Sequence, residues 1–173
     1  MNRPQPDEYA SWGGTYIEKV TGDLFEDLEN QVTALTGTLL RYPELANFAY
    51  APGKWTIKEL LGHMIDTERI LAYRLTTFVR NDQTPLPGFE EDDYVRFAGF
   101  ADRELEDLVG EFVLLRQANL HFFHSITPAQ LDRRGYMADG RSITARALLY
   151  VIAGHVNHHM QVLESRYINE QPA

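Results

Sequence analysis

Gly154-His155-Val156-Asn157-His158-His159-Met160-Gln161-Val162-Leu163 lies inside a segment, Thr144 to Tyr167, that has helical periodicity and no interior proline. Leu148, Val151, His155, His159, Val162 and Arg166 share one stripe of it. His155 and His159 are four residues apart, so on a helix they stack on one face, one turn apart. Two imidazoles so placed can grip one metal ion. His155 with His158, three apart, is a competing register. A working site needs a third ligand from another element, and His63 is the candidate.

Working outward, three more helices are expected. The first runs from about Asp23 to Leu40, where Leu24, Leu28, Val32, Leu35 and Leu39 recur at three- and four-residue steps. Tyr42-Pro43 ends it. The second runs from about Ile57 to Arg80 behind a capping box of Thr56 and Glu59, with His63, Thr67, Ile70 and Arg74 on one stripe. The third runs from Asp102, read as its N-cap, to Ser125, and a short turn follows at Thr127-Pro128-Ala129-Gln130. Residues 1–14, rich in Pro and Gly, read as an irregular arm. Asn81 to Ala101, with the acidic run Glu90-Glu91-Asp92-Asp93, reads as a long loop that carries the chain along a bundle. Gly135 to Ile143 reads as loop with a turn at Asp139-Gly140, and Gln171-Pro172-Ala173 as a tail. The expectation is a single all-α domain over 1–173, a four-helix bundle.

Both histidine-bearing stripes mix His with apolar residues, so the imidazoles point into the bundle. Three of them around one divalent ion satisfy one another's lone pairs and leave positions open for water or substrate. The rival reading is three ordinary, hydrogen-bonded histidines. Asp66, one turn from His63, is a candidate to orient an imidazole or add a ligand. His121 and His124, three apart on the third helix, form another pair, set aside as ligands because His121 is flanked by apolar residues and His124 lies at a helix end. Arg74 and Arg166 are candidates to orient an anionic substrate or to close a buried ion pair, and the ion pair, with Glu68 or Glu164, is preferred; Trp55 and Tyr73 are assigned to packing, and Asn157 and Gln161 to hydrogen bonds near the site.

Composition narrows the chemistry. The 173 residues hold no cysteine, so disulfides and protein thiols are excluded and a metal site must use His and carboxylates. That favours zinc, nickel, iron(II) or manganese. A net charge of −9 disfavours a nucleic-acid partner. No apolar run approaches the ~20 residues of a membrane span, and the N-terminus has no signal-like apolar core. A cytoplasmic protein acting on a small molecule is expected, with no membrane partner.

Gly53-Lys54-Trp55-Thr56-Ile57-Lys58-Glu59-Leu60-Leu61-Gly62-His63-Met64-Ile65-Asp66-Thr67-Glu68-Arg69, Thr84-Pro85-Leu86-Pro87-Gly88-Phe89, Arg116 and Ala153-Gly154-His155-Val156-Asn157-His158-His159 together resemble the DinB/YfiT-like superfamily of metal-binding four-helix bundles. The resemblance implies an up-down-down-up topology with a long crossover between the second and third helices. It also implies a metal held by one His of the second helix and two of the fourth, which fall on His63, His155 and His159. It implies, further, a metal-dependent transferase working with a low-molecular-weight thiol, such as bacillithiol or mycothiol, on small electrophiles. Metal-dependent hydrolysis and a non-catalytic, metal-stabilised stress-response or binding bundle are the alternatives. Bundles of this type often pair, so a homodimer is expected. Zinc, nickel and iron are the expected metals.

Overall fold

The computed structural model describes residues 1–169; the expected tail Gln171-Pro172-Ala173 lies outside the described residues. Four long helices carry the fold: α2 (Leu24–Arg41), α3 (Ile57–Val79), α5 (Leu105–His124) and α7 (Ala145–Val162). Around them stand α1 (Ser11–Ile17), α4 (Glu91–Ala98), α6 (Pro128–Leu131) and a hairpin of β1 (Arg134–Tyr136) and β2 (Ser142–Thr144). The four-helix bundle expected from the periodicity is present.

Local chemistry sets the ends. Asp23 accepts from the N–H groups of Phe25 and Glu26 and so caps α2. Thr56 and Glu59 form the expected reciprocal box at the start of α3. Thr127 and Gln130 do the same for α6. Thr144 caps α7, which runs on through Leu163–Ile168 as a widened turn of π type. On α2 the buried stripe is Leu24, Leu28, Gln31, Leu35 and Leu39; Gln31 takes the inward position beside Val32.

Helices α3 and α7 pack on each other, and each of the other two long helices completes the ring: α5 packs on α2 and α3, and α7 on α2. The apolar core is split in two. One half gathers Leu24, Leu28, Leu71, Leu75, Phe123, Leu148 and Val151. The other gathers Leu35, Leu39, Leu60, Leu61, Met64, Phe112 and Val156. Between them, at Gln31, Glu68, Arg116 and Ala153, lies a polar layer. Arg116, fully buried, donates Nε and Nη2 to the two carboxylate oxygens of Glu68 at 2.8 and 2.7 Å, and Nη1 to Leu28 O and Gln31 Oε1. Gln31 Nε2 in turn donates to Ala153 O and Asn157 Oδ1, both at 2.7 Å. Each of the four long helices therefore contributes to one network, which fixes their register at the level of the histidines.

Several expected loops are ordered elements. The arm over 1–14 contains a helical turn at Pro6–Glu8 and the start of α1, which Arg3 staples by donating its guanidinium to Val20 O and Ile17 O. Gly13 and Gly14 hid this helix from a propensity reading. The stretch Asn81–Ala101 contains α4: its acidic run is the helix's first turn, favoured there by the helix dipole, Val95 is its buried anchor, and Gly99 at φ 68° ends it. A short turn at Phe100–Asp102 follows, so Asp102 is not the cap of α5; Glu104 holds that position. Gly135–Ile143 is largely the β1–β2 hairpin, with the expected turn at Asp139-Gly140. Gly135 is needed there because a Cβ would meet the Phe78 ring.

The crossover returns the chain along α3. Arg74 donates to Pro87 O. Further on, Lys58 Nζ at the start of α3 donates to Ala101 O and Arg103 O, and Gly62 gives room to the Phe100 ring. This return lays α4 across the histidine-bearing part of α3.

Candidate metal centre

His63 reaches the bundle interior from α3, and His155 and His159 from α7. His63 Nε2 lies 3.0 Å from His155 Nε2, and His159 Nε2 lies 3.1 Å from the same atom. One ring nitrogen from each of the three falls within 4.8 Å of the others. All three side chains are buried. Trp55 covers His63 at a ring separation of 4.7 Å, and Tyr16 of α1 meets His155 edge-on at 5.5 Å. The Tyr167 hydroxyl donates to Trp55 O at 2.7 Å, which ties the turn before α3 to the end of α7.

Burial governs the charge state. It pushes His63 down to about 4, His159 down to about 3 and His155 well below the ordinary histidine value; neighbouring histidines add to the shift at His155 and His159. Asp92 of α4 works the other way on His63, and the burial outweighs it. At neutral pH each ring is uncharged and has one lone pair to offer.

The spacing of the other two nitrogens about His155 fits a divalent transition metal. Two nitrogens bound at 2.0–2.1 Å to one ion stand roughly 2.9 Å apart at a right angle and roughly 3.3 Å apart in a tetrahedron. The observed 3.0 and 3.1 Å fall between these values. Hydrogen bonding alone explains the cluster less well: His155 Nε2 faces two other Nε2 atoms at once, and His159 Nδ1 is buried with no partner among the described residues.

Two cavities open onto the cluster from different sides. One, of about 280 Å³, is lined by His155, Tyr16, Thr67, Arg74, Glu91 and Arg141, among others. The second, of about 320 Å³, is lined by His158, His159, Trp55, Lys54, Asp92 and Tyr167, among others. The first turn of α4 contributes a carboxylate to each.

The other expected residues distribute as follows. Asp66 points away from the imidazoles and pairs with Arg69 at 3.4 Å, because position 66 faces α5, where Glu111 also engages Arg69. Arg74 is not the partner of Glu68; Arg116 is. Trp55 packs as expected, but Tyr73 is 61% exposed. Asn157 donates to Lys19 O and to Asp27 of α2 and accepts from Gln31 of α2, and Gln161 accepts from Lys19, so both tie α7 to α2 and to the segment after α1 and not to the cluster. His158 is half-buried against Tyr16. His121 is exposed, and His124 stacks on Phe25 and bonds Glu29. The residues missed by sequence reasoning are Tyr16, Glu91 and Asp92. The acidic run followed by Gly99 was a legible sign of a helix, but nothing local to it says that the helix lies over the histidines.

Comparison with known proteins agrees with this fold. No curated protein matches the chain. Among solved structures, YfiT from Bacillus subtilis, described as a probable metal-dependent hydrolase with an unusual four-helix bundle topology, is similar over 95% of this chain and 93% of its own, at 15% identity and a TM-score of 0.68. A mycothiol-dependent maleylpyruvate isomerase is similar over 80% of this chain and 60% of its own, at 18% identity and a TM-score of 0.57. At these identities the likeness is one of fold. The sequence itself matches the family profile over residues 24–163, from the first residue of α2 to the end of α7, and the chain belongs to the DinB superfamily.

Proposed function

We propose that the protein is a metal-dependent enzyme that joins a low-molecular-weight thiol to a small electrophile, with His63, His155 and His159 as the metal ligands. The observation that carries this reading is the pair of separate cavities, one bordered by His155 and the other by His159, since a transferase needs room for two organic ligands at one centre. When bound, a divalent zinc, nickel or iron ion there would favour the thiolate form of a coordinated thiol. The sulfur forms a bond to an electrophilic carbon, and the ring oxygen, halide or conjugated carbonyl of the electrophile takes the displaced electron pair. The protein's own part is to keep the three imidazoles neutral by burial, to hold them rigidly through Trp55 and the Arg116 network, and to offer Glu91 and Asp92 as proton acceptors at the two cavities. The similarity to the mycothiol-dependent isomerase supports a thiol-using site.

Metal-dependent hydrolysis is the second reading. It is supported by the similarity to YfiT and by the two carboxylates of α4, which supply the general base that the sequence alone did not reveal. One experiment separates them. Protein loaded with zinc, nickel or iron(II) is incubated with bacillithiol, mycothiol or cysteine and an activated alkene, epoxide or alkyl halide, and thioether is quantified. Metal-dependent thioether formation that is lost in His159→Ala is expected. Turnover of ester or amide substrates without any thiol would establish the hydrolase instead.

A further inference from the structure

The cavity beside His155 has a chemical polarity that the three histidines do not explain. Arg74 stands at its far end, one to two turns along α3 from Thr67. Its guanidinium is half-buried, donates to Pro87 O at 2.8 Å and lies 5.8 Å from the Phe89 ring centre. Among the described residues no carboxylate lies within ion-pair distance of it, and burial together with the nearby Arg141 lowers its pKa. Arg141, by contrast, is already paired with Asp139 at 2.5 Å and lies over the Trp12 ring.

Two further polar atoms border the same space. Thr67 Oγ1 and Trp12 Nε1 are both buried without a hydrogen-bond partner among the described residues. Thr67 is only 4% exposed. A helical threonine ordinarily satisfies its hydroxyl on a carbonyl one turn back, as Thr36 and Thr76 do in this protein. Thr67 does not. Buried donors of this kind are satisfied by a ligand or water that reaches them.

We propose that this cavity binds the carboxylate end of a small monocarboxylate substrate. Arg74 holds the carboxylate, Thr67 Oγ1 and Trp12 Nε1 donate to polar atoms along the body of the molecule, and its other end reaches His155. The assignment rests on the reading of the three histidines as a reaction centre. A single charge follows from where the wall charges lie. Arg74 is the cation without an ion-pair partner among the described residues, the Arg141–Asp139 pair is neutral, and Glu91, which brings the walls to no net charge, repels a second negative charge. A volume of about 280 Å³ suits a small molecule and not a peptide or polymer. The Thr84-Pro85-Leu86-Pro87-Gly88-Phe89 stretch acquires a role in this arrangement: Leu86 pairs with the β1–β2 hairpin, and Pro87 and Phe89 hold the Arg74 fork over the cavity.

The test is direct binding, with no turnover needed. Straight-chain carboxylates from butyrate to octanoate, their primary amides and the matching alkyl phosphates are titrated into full-length protein, metal-free and zinc-loaded. The indole ¹H–¹⁵N signal of Trp12 is followed. The best carboxylate is expected to bind at least tenfold tighter than its amide and tighter than the phosphate. Arg74→Gln is expected to abolish that preference, and Arg74→Lys, which keeps the charge without the two-pronged fork, to retain part of it. Thr67→Val, close in size, is expected to weaken binding severalfold. Equal affinity for carboxylate and amide, or an unchanged preference in Arg74→Gln, would overturn the proposal. Preference for the phosphate would overturn the single-charge assignment. Carboxylate binding that persists in a His159→Ala protein shown to have lost zinc would leave this site standing, so the two readings fail separately.

Discussion

Gly154 and Tyr16 meet backbone to backbone: a Cβ on residue 154 would lie 1.9 Å from the Tyr16 carbonyl oxygen. Helix α1 is seated on α7 one residue before His155, and Tyr16 covers that histidine. Gly154→Ala should therefore push α1 away from α7. The helix-propensity gain of about 1 kcal/mol is outweighed by overpacking, leaving a net loss of roughly 1–2 kcal/mol. Gly37→Ala, on α2 with nothing within 4 Å of the new methyl, should instead stabilise by about 0.5–1 kcal/mol. Urea unfolding of both variants checks the contrast; a Gly154→Ala protein as stable as wild type would mean the close approach is not kept.

The Glu68–Arg116 pair makes a second contrast. Both residues are buried, so truncating one strands a charge in the interior. Arg116→Met should cost roughly 3–5 kcal/mol, whereas the double replacement Glu68→Leu with Arg116→Met should recover much of the loss. A double mutant no better than the single one would show that the pair is needed for helix register and not only for charge balance.

In the metal-free protein, acid should act through the histidines. Their folded-state values lie below the ordinary 6.5, at about 4 for His63 and about 3 for His159. The unfolded chain then binds more protons between those values and 6.5, and stability rises with pH there. The contribution is complete above pH 6.5 and is lost as pH falls toward 4. For one histidine the slope approaches roughly 1.4 kcal/mol per pH unit. Urea midpoints at pH 7.5, 6 and 5 should fall in that order, and His63→Gln should flatten the decline.

Metal content should follow the nitrogen geometry. Wild-type protein dialysed against zinc should retain about one equivalent, and His63→Ala, His155→Ala and His159→Ala should each lose it. His158→Ala, His121→Ala and Asp66→Asn should keep it. Elemental analysis after desalting reads the outcome; loss in His158→Ala would place the site in the alternative helical register.

Much of the architecture was legible because long amphipathic helices write their period into the sequence. The leucines of α2, the Thr56–Glu59 box and the histidine spacing on α7 all led to the observed elements. What was not legible depends on partners far along the chain. Helix α1 holds two glycines and owes its order to Gly154 and to Arg3. The hairpin owes its place to Phe78 beside Gly135. His63 and His155 are 92 positions apart. Their meeting depends on a register set by Arg116 and Gln31, residues whose side chains give no local sign of being buried. Glu68 was an expected partner of Arg74 or Arg166, yet its carboxylate turns to Arg116 of α5.

The two cavities have a consequence for traffic. The first turn of α4 gives Glu91 to one and Asp92 to the other, and they end at different histidines, one at His155 and the other at His158 and His159. A ligand seated in one does not block the entrance of the other. On the proposed transferase reading, neither reactant has to wait for its partner or leave before it arrives, so initial rates measured against both concentrations should describe random addition through a ternary complex, with intersecting reciprocal plots.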